Sequence, residues 1–250
     1  MEIGGEFCFA DIGRAPDGEA SVADLIDGWS RGYPTLLLSS GRTAYLNVWL
    51  NLLHAGRGLD TVLLPSYLCY SILMPFSRMG VGVQYYRVGA DQAVDWEDLE
   101  RKARMLGARA AVVIIDYFGF IPSGDSARTI CRVRQTGARV MYDATHSLLN
   151  DCPWPAVADS SRAGSALGSA PAADVCIMSL RKALPVVDGA VVVWPDGARP
   201  APTLSIARER IDSYFSSRAL AMMMKASYMV DGWGSRRDYL NLYDQAEAAL

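Results

Sequence analysis

The chain has 250 residues, 51% hydrophobic and 20% charged, which places it among globular proteins with one sizeable core and excludes disordered and fibrous classes. A formal net charge of -3, with no Lys/Arg-rich run interleaved with aromatics, offers nucleic acid no footing and points to small-molecule partners. Met1 to Glu6 lack the basic-then-apolar pattern of a signal peptide, no stretch approaches the roughly 18 to 20 apolar residues of a membrane helix, and the five cysteines and two histidines show no metal spacing, so a cytoplasmic protein with reduced thiols is expected.

In chain order, residues 1–33 are read as an N-terminal arm. A short apolar run at Thr35 to Leu38 is followed by a helical pattern at Thr43 to Leu53. Short, nearly continuous apolar runs then alternate with helical patterns. The predicted strands are Thr61 to Leu64, Val81 to Tyr86, Ala110 to Ile115, Arg139 to Tyr142, Val175 to Met178 and Ala190 to Val193. The predicted helices are Tyr67 to Met79, Trp96 to Leu106 and Ala127 to Gln135, with apolar residues spaced three and four apart. Alternation of this kind is the mark of βα units feeding a largely parallel sheet, so the fold class is α/β. Asp151 to Ala173, rich in Pro, Ala, Ser and Gly, has no periodicity and is read as a long loop. Beyond Pro200 the pattern is helical from Ile206 to Met229, broken at Gly232 to Gly234, and helical again towards Leu250. No linker separates two cores, so 1–250 is read as one domain with 201–250 as a helical C-terminal segment.

Three places carry candidate chemistry. Ser179-Leu180-Arg181-Lys182 directly follows a predicted strand, and strand ends are where open α/β sheets hold ligands; a solvated lysine in an ordinary loop fits the same pattern. Asp143 ends another predicted strand, where a carboxylate can hold a proton on a pyridinium nitrogen. His146, three residues on, suits a ring phenolic oxygen, although an Asp-x-x-His pair also fits a metal site or a helix cap. Ser39-Ser40-Gly41-Arg42-Thr43-Ala44 lies between an apolar run and a helix, where free amides and the helix dipole make a phosphate seat or, more plainly, an N-cap. Arg42 adds charge there, and the Ser179 hydroxyl can reach the same anion.

The order of phosphate loop, strand-borne Asp143 with His146, then Ser179-x-x-Lys182 and a glycine before a strand resembles the DegT/DnrJ/EryC1/StrS sugar aminotransferases, which are fold type I pyridoxal-phosphate enzymes. The resemblance covers about residues 35 to 195. Leu64-Pro65-Ser66-Tyr67-Leu68-Cys69-Tyr70 is similar to that family's Val-Pro-Ser-x-Thr-aromatic strand end, and Val112 to Gly119 to its apolar strand ending in Tyr-Gly. It implies a three-layer α/β/α fold around a mostly parallel seven-stranded sheet. It also implies pyridoxal 5'-phosphate as cofactor, Lys182 and Asp143 as catalytic residues, and cofactor contacts from Ser40, Gly41, Arg42, His146 and Ser179. An amino donor, a keto acceptor such as a keto-sugar, and a homodimer follow from the same resemblance. The family's ring-stacking aromatic falls on Cys69, with Tyr70 one place later, leaving either to meet the ring. Arg42 stands for the family's Thr, Asp188-Gly189 is what remains of its Gly-Glu-Gly-Gly, and its small C-terminal domain has no counterpart before Leu250.

Overall fold

The computed structural model describes residues 22–55, 58–119, 124–150, 156–158, 169–195 and 208–249. In chain order the elements are α1 (Val22–Ser30), β1 (Thr35–Leu38), α2 (Gly41–His54), β2 (Thr61–Pro65), α3 (Tyr70–Arg78), β3 (Gly82–Tyr86), α4 (Trp96–Leu106), β4 (Ala110–Ile115), α5 (Gly124–Gln135) and β5 (Arg139–Asp143). After them come β6 (Ala156–Ala158), β7 (Ser169–Pro171), β8 (Val175–Ser179), β9 (Ala190–Val193), α6 (Arg208–Asp231) and α7 (Arg236–Ala249).

Seven strands form one sheet in the order β1-β9-β8-β5-β4-β2-β3. From β8 to β3 all neighbours are parallel, whereas β9 runs antiparallel to both β8 and β1. The central strands are apolar throughout because both faces are covered: every residue of β2, β4, β8 and β9 is buried. Successive side chains alternate between two cores. Leu63, Val112, Ile114, Val140 and Tyr142 pack with α1, α4 and α5 through Ile26, Trp29, Leu99, Ile130 and Val133. Val62, Leu64, Val113, Ile115 and Met141 pack on the opposite face with α2 and α3 through Val48, Trp49, Leu52, Ile72 and Phe76. This is the expected three-layer α/β/α arrangement.

The predicted strands and helices all occur, with small shifts at their ends. The helix expected from Tyr67 begins at Tyr70, because the chain bends at Ser66 and Tyr67 on leaving β2. Two stretches hold more secondary structure than their sequence pattern displays. Within the stretch read as an N-terminal arm, α1 is an integral part of a core, its amphipathic face delivering Ile26 and Trp29; residues 1–21 lie outside the described residues. The Asp151 to Ala173 stretch is not simply a loop, since β6 and β7 pair antiparallel, Val157 opposite Ala170. Strands of three residues leave no period to detect; the rest of that stretch, 151–155 and 159–168, lies outside the described residues. At the C-terminal end, α6 and α7 pack on each other through Ala221, Met222, Tyr239 and Tyr243. No helix among the described residues is long and apolar enough to cross a membrane.

Candidate active site

Strand register brings the chemistry together. Asp143, the last residue of the central strand β5, pairs with Ile115 of β4 on one side and Ile177 of β8 on the other. Ser179 therefore lies two residues beyond Asp143's partner, at the same carboxyl edge of the sheet. Its amide donates to the Thr145 hydroxyl at 3.1 Å, which ties the end of β8 to the turn after β5. A cavity of about 380 Å³ opens here, bordered by Ser40, Gly41, Arg42, Cys69, Asp143, His146, Ser179 and Lys182. That volume is within the range of small-molecule sites.

The phosphate seat is the start of α2. Ser40 is the N-cap, and its hydroxyl accepts from the Thr43 amide at 3.2 Å while the Thr43 hydroxyl accepts from the Ser40 amide at 2.9 Å, a reciprocal capping box. Ser40 thus serves as a cap as well as lining the cavity, and the Gly41 and Arg42 amides are left in the first turn, where a helix has no internal acceptor for them. Gly41 faces Ser179: a Cβ there would stand 3.4 Å from the Ser179 Cβ and 3.5 Å from its Oγ, in ordinary van der Waals contact. Arg42 lines the cavity, and its guanidinium pairs with Glu247 of α7 at 2.6 Å. Glu247 also pairs with Arg218 of α6 at 3.1 Å.

Lys182 closes a 3-10 turn, Leu180–Lys182, that is anchored by the Leu180 amide on the Gly189 carbonyl at 2.9 Å. Lys182 lines the cavity and has no ion pair among the described residues. Asp143 is buried, its Oδ2 accepting from the Tyr45 hydroxyl at 2.6 Å and its Oδ1 from the Thr145 amide at 2.9 Å. Burial, then the Asp143 charge, pushes the Tyr45 phenol well above its ordinary range, so it remains a donor. Next to Asp143, Asp116 follows β4; it is buried with neither side-chain oxygen hydrogen-bonded among the described residues, and burial followed by Asp143's charge raises it to about 9. Asp188 is held between Gly189, Arg181 and the Tyr214 hydroxyl of α6, and burial lifts it to about 6 against the opposing pull of Arg181.

His146 accepts from the Phe118 amide at its Nδ1, 3.0 Å away, and stacks on the Phe118 ring at 5.7 Å. A neutral imidazole accepting at Nδ1 carries its proton on Nε2, free to donate towards a ligand. Phe118 adopts a left-handed φ of 57°, and the next residue must be glycine, because a Cβ on Gly119 would come 2.9 Å from the His146 carbonyl oxygen. Tyr67 and Tyr117 complete an aromatic wall, their rings 5.5 Å apart, with the Tyr117 hydroxyl donating to the Tyr67 carbonyl.

Of the residues named from sequence, the structure brings Ser40, Gly41, Arg42, Cys69, Asp143, His146, Ser179 and Lys182 around one cavity. Tyr70, the first residue of α3, is 69% exposed and does not border this cavity, whereas Cys69 at the N-cap does, although it too is exposed. Sequence reasoning missed Tyr45, Asp116, Arg181, Asp188 and Glu247. Tyr45 had a signal, since it stands four residues after Gly41 on the same helical face.

No family model and no curated protein matches the chain. Among solved structures, the chain is similar to PseC of Helicobacter pylori, an aminotransferase involved in the biosynthesis of pseudoaminic acid, with a TM-score of 0.50 and 16% identity over 68% of this chain and 42% of that one. A Bacillus cereus protein assigned as a PLP-dependent aminotransferase gives a TM-score of 0.50 and 13% identity over 70% of this chain and 45% of that one. The chain has the fold type I large-domain architecture. It spans less than half the length of either relative. The residues lining this cavity fit pyridoxal phosphate: helix-start amides with a hydroxyl and an arginine for a phosphate, a lysine with no ion pair among the described residues for a carbonyl, and a buried carboxylate for a ring nitrogen.

Proposed function

We propose that the chain is a pyridoxal-phosphate enzyme of the DegT/DnrJ/EryC1/StrS kind that transfers an amino group to a keto group on a sugar or related small metabolite, as a homodimer. The observation that carries this reading is the convergence of Lys182, Asp143 and the α2 start with Ser179 on one cavity from four separate elements. Gly41 and Arg42 amides, the Ser179 hydroxyl and the Arg42 guanidinium would hold the phosphate. When bound, the cofactor supplies an electron sink that acidifies a carbon beside an amine. The buried Asp143 carboxylate favours a proton on a nitrogen set against it, and His146 Nε2 offers a donor to a phenolic oxygen. Lys182 provides the amine that captures a carbonyl and, when released, a base able to take and return a proton at a donor's α-carbon. Tyr67, Tyr117 and Phe118 border the same cavity with aromatic surface.

Purified protein mixed with pyridoxal phosphate is expected to show a visible absorbance band absent from the Lys182→Ala variant, and addition of an amino donor should discharge the band. An identical spectrum from the variant sinks the lysine assignment. A band that no amino donor discharges, despite tight cofactor binding, favours decarboxylation, elimination or carbon-carbon bond formation instead.

A further inference from the structure

Asp143 has a dedicated partner that lies outside the set of residues expected to touch the cofactor. Carboxylates offer about four lone-pair positions. At Asp143 one is taken by the Thr145 amide on Oδ1 and one by the Tyr45 hydroxyl on Oδ2, and these are its hydrogen bonds among the described residues. The Thr145 bond is local, spanning two residues, and follows wherever the turn after β5 goes. The Tyr45 bond crosses from α2 to the end of β5, 98 positions apart in sequence, and is buried. It fixes the plane of the carboxylate relative to the helix whose first turn forms the phosphate seat.

Several features make this bond more than packing. The Tyr45 ring is wedged against Phe76, centroids 6.0 Å apart in an edge arrangement, so the hydroxyl is presented by a ring that cannot turn freely. The phenol stays protonated and can only serve Asp143 as a donor. Asp116, the neighbouring acid, has no hydrogen bond to Asp143 among the described residues, so the Tyr45 hydroxyl is the side-chain donor that Asp143 has there. Tyr45 and Gly41, one turn apart on α2, both border the cavity. One helix face therefore positions both the anion seat and the carboxylate.

We propose that Tyr45 is a positioning residue that acts through Asp143, holding its carboxylate in the one orientation that leaves the remaining lone pairs for a ring nitrogen in the cavity. This rests on the pyridoxal-phosphate reading above. Tyr45→Phe removes one oxygen and keeps the ring against Phe76, and it is compared with Asp143→Asn and the double variant by titrating each with pyridoxal phosphate and recording the visible band. Loss of one charge-assisted bond is expected to weaken cofactor binding about tenfold. The band of Tyr45→Phe should move in the same direction as that of Asp143→Asn, and in the Asp143→Asn background the second substitution should change affinity by less than about twofold, since the carboxylate it acts on is gone. A purely structural tyrosine would weaken binding equally in both backgrounds and leave the band where it is, and that result overturns the proposal. So does a Tyr45→Phe variant indistinguishable from wild type. Absence of any band from the wild-type protein refutes the cofactor reading itself and this proposal with it, an outcome distinct from a wild-type band with additive variants.

Discussion

Asp116→Asn is the most direct probe of the electrostatics under the cavity. Asp116 is 1% exposed and neither side-chain oxygen has a hydrogen-bond partner among the described residues, so its charged form is disfavoured both by lost hydration and by repulsion from Asp143. Its folded-state value of about 9 stands above an ordinary 3.8. An acid raised on folding binds its proton more tightly in the native state. The unfolded chain releases that proton from about pH 4 upward while the folded chain keeps it to about pH 9, so stability is full below about pH 4 and declines across that window. At pH 7 the gap from 3.8 is about three units, or about 4 kcal/mol at roughly 1.36 kcal/mol per unit. Asparagine has the same shape and no proton to lose. The variant is expected to match wild type near pH 4 and to exceed its stability by as much as about 4 kcal/mol at pH 7, the gap widening by about 1.4 kcal/mol per pH unit. Urea unfolding followed by tryptophan fluorescence at several pH values measures this directly. Parallel stability curves for the two proteins across that range, or an Asn variant that is the weaker one at alkaline pH, would refute the assignment of Asp116 as a neutral buried acid.

Two further perturbations address the phosphate seat. Ser40→Ala removes half of the capping box at α2 and is expected to cost about 1 kcal/mol in urea unfolding, with an unchanged midpoint counting against the cap. Glu247→Gln frees Arg42 from its 2.6 Å ion pair and is expected to tighten binding of inorganic phosphate about fivefold by calorimetry, the equivalent of about 1 kcal/mol. Weaker binding would show that Glu247 aims Arg42 at the anion instead of competing for it.

What the sequence disclosed depended on how the signal is written in it. The central strands were legible because a doubly covered strand has to be apolar without interruption, as Ala110–Ile115 is. Lys182, Asp143 and the Gly41 loop were legible because each adjoins such a run. The same reasoning applied to Asp116, which also follows a buried strand directly, and it went unused because no familiar motif drew attention to it. Tyr45 and Glu247 were harder. One sits within a helix whose apolar face already accounts for an aromatic residue, and the other belongs to a C-terminal helix some 200 positions from its partner Arg42. Cys69 and Tyr70 part for a local reason: Cys69 is the extended N-cap and borders the cavity, while Tyr70 begins the helix and does not.

Why the cavity lies where it does follows from the direction of the crossovers. The chain leaves β2 for α3, which packs through Ile72 and Phe76 on one face of the sheet, and leaves β4 for α5, which packs through Ile130 and Val133 on the other. These strands are neighbours, so the segments after them must part, and a crevice opens at the carboxyl ends between them. Tyr67 and Cys69 come from the first segment, Tyr117 and Phe118 from the second. The left-handed Phe118 and the obligatory Gly119 are the local cost of that parting, since they turn the chain sharply back over His146. Asp143 ends the next strand along, and α2, crossing on the α3 face, delivers Tyr45 and the phosphate seat to the same opening. A carboxylate at the floor, an amine at the rim and a helix start at the side are thus products of one topological divergence. Repacking α3 should therefore disturb the position of Cys69 and Tyr67 before it disturbs Asp143, whose strand is clamped on both sides by parallel partners.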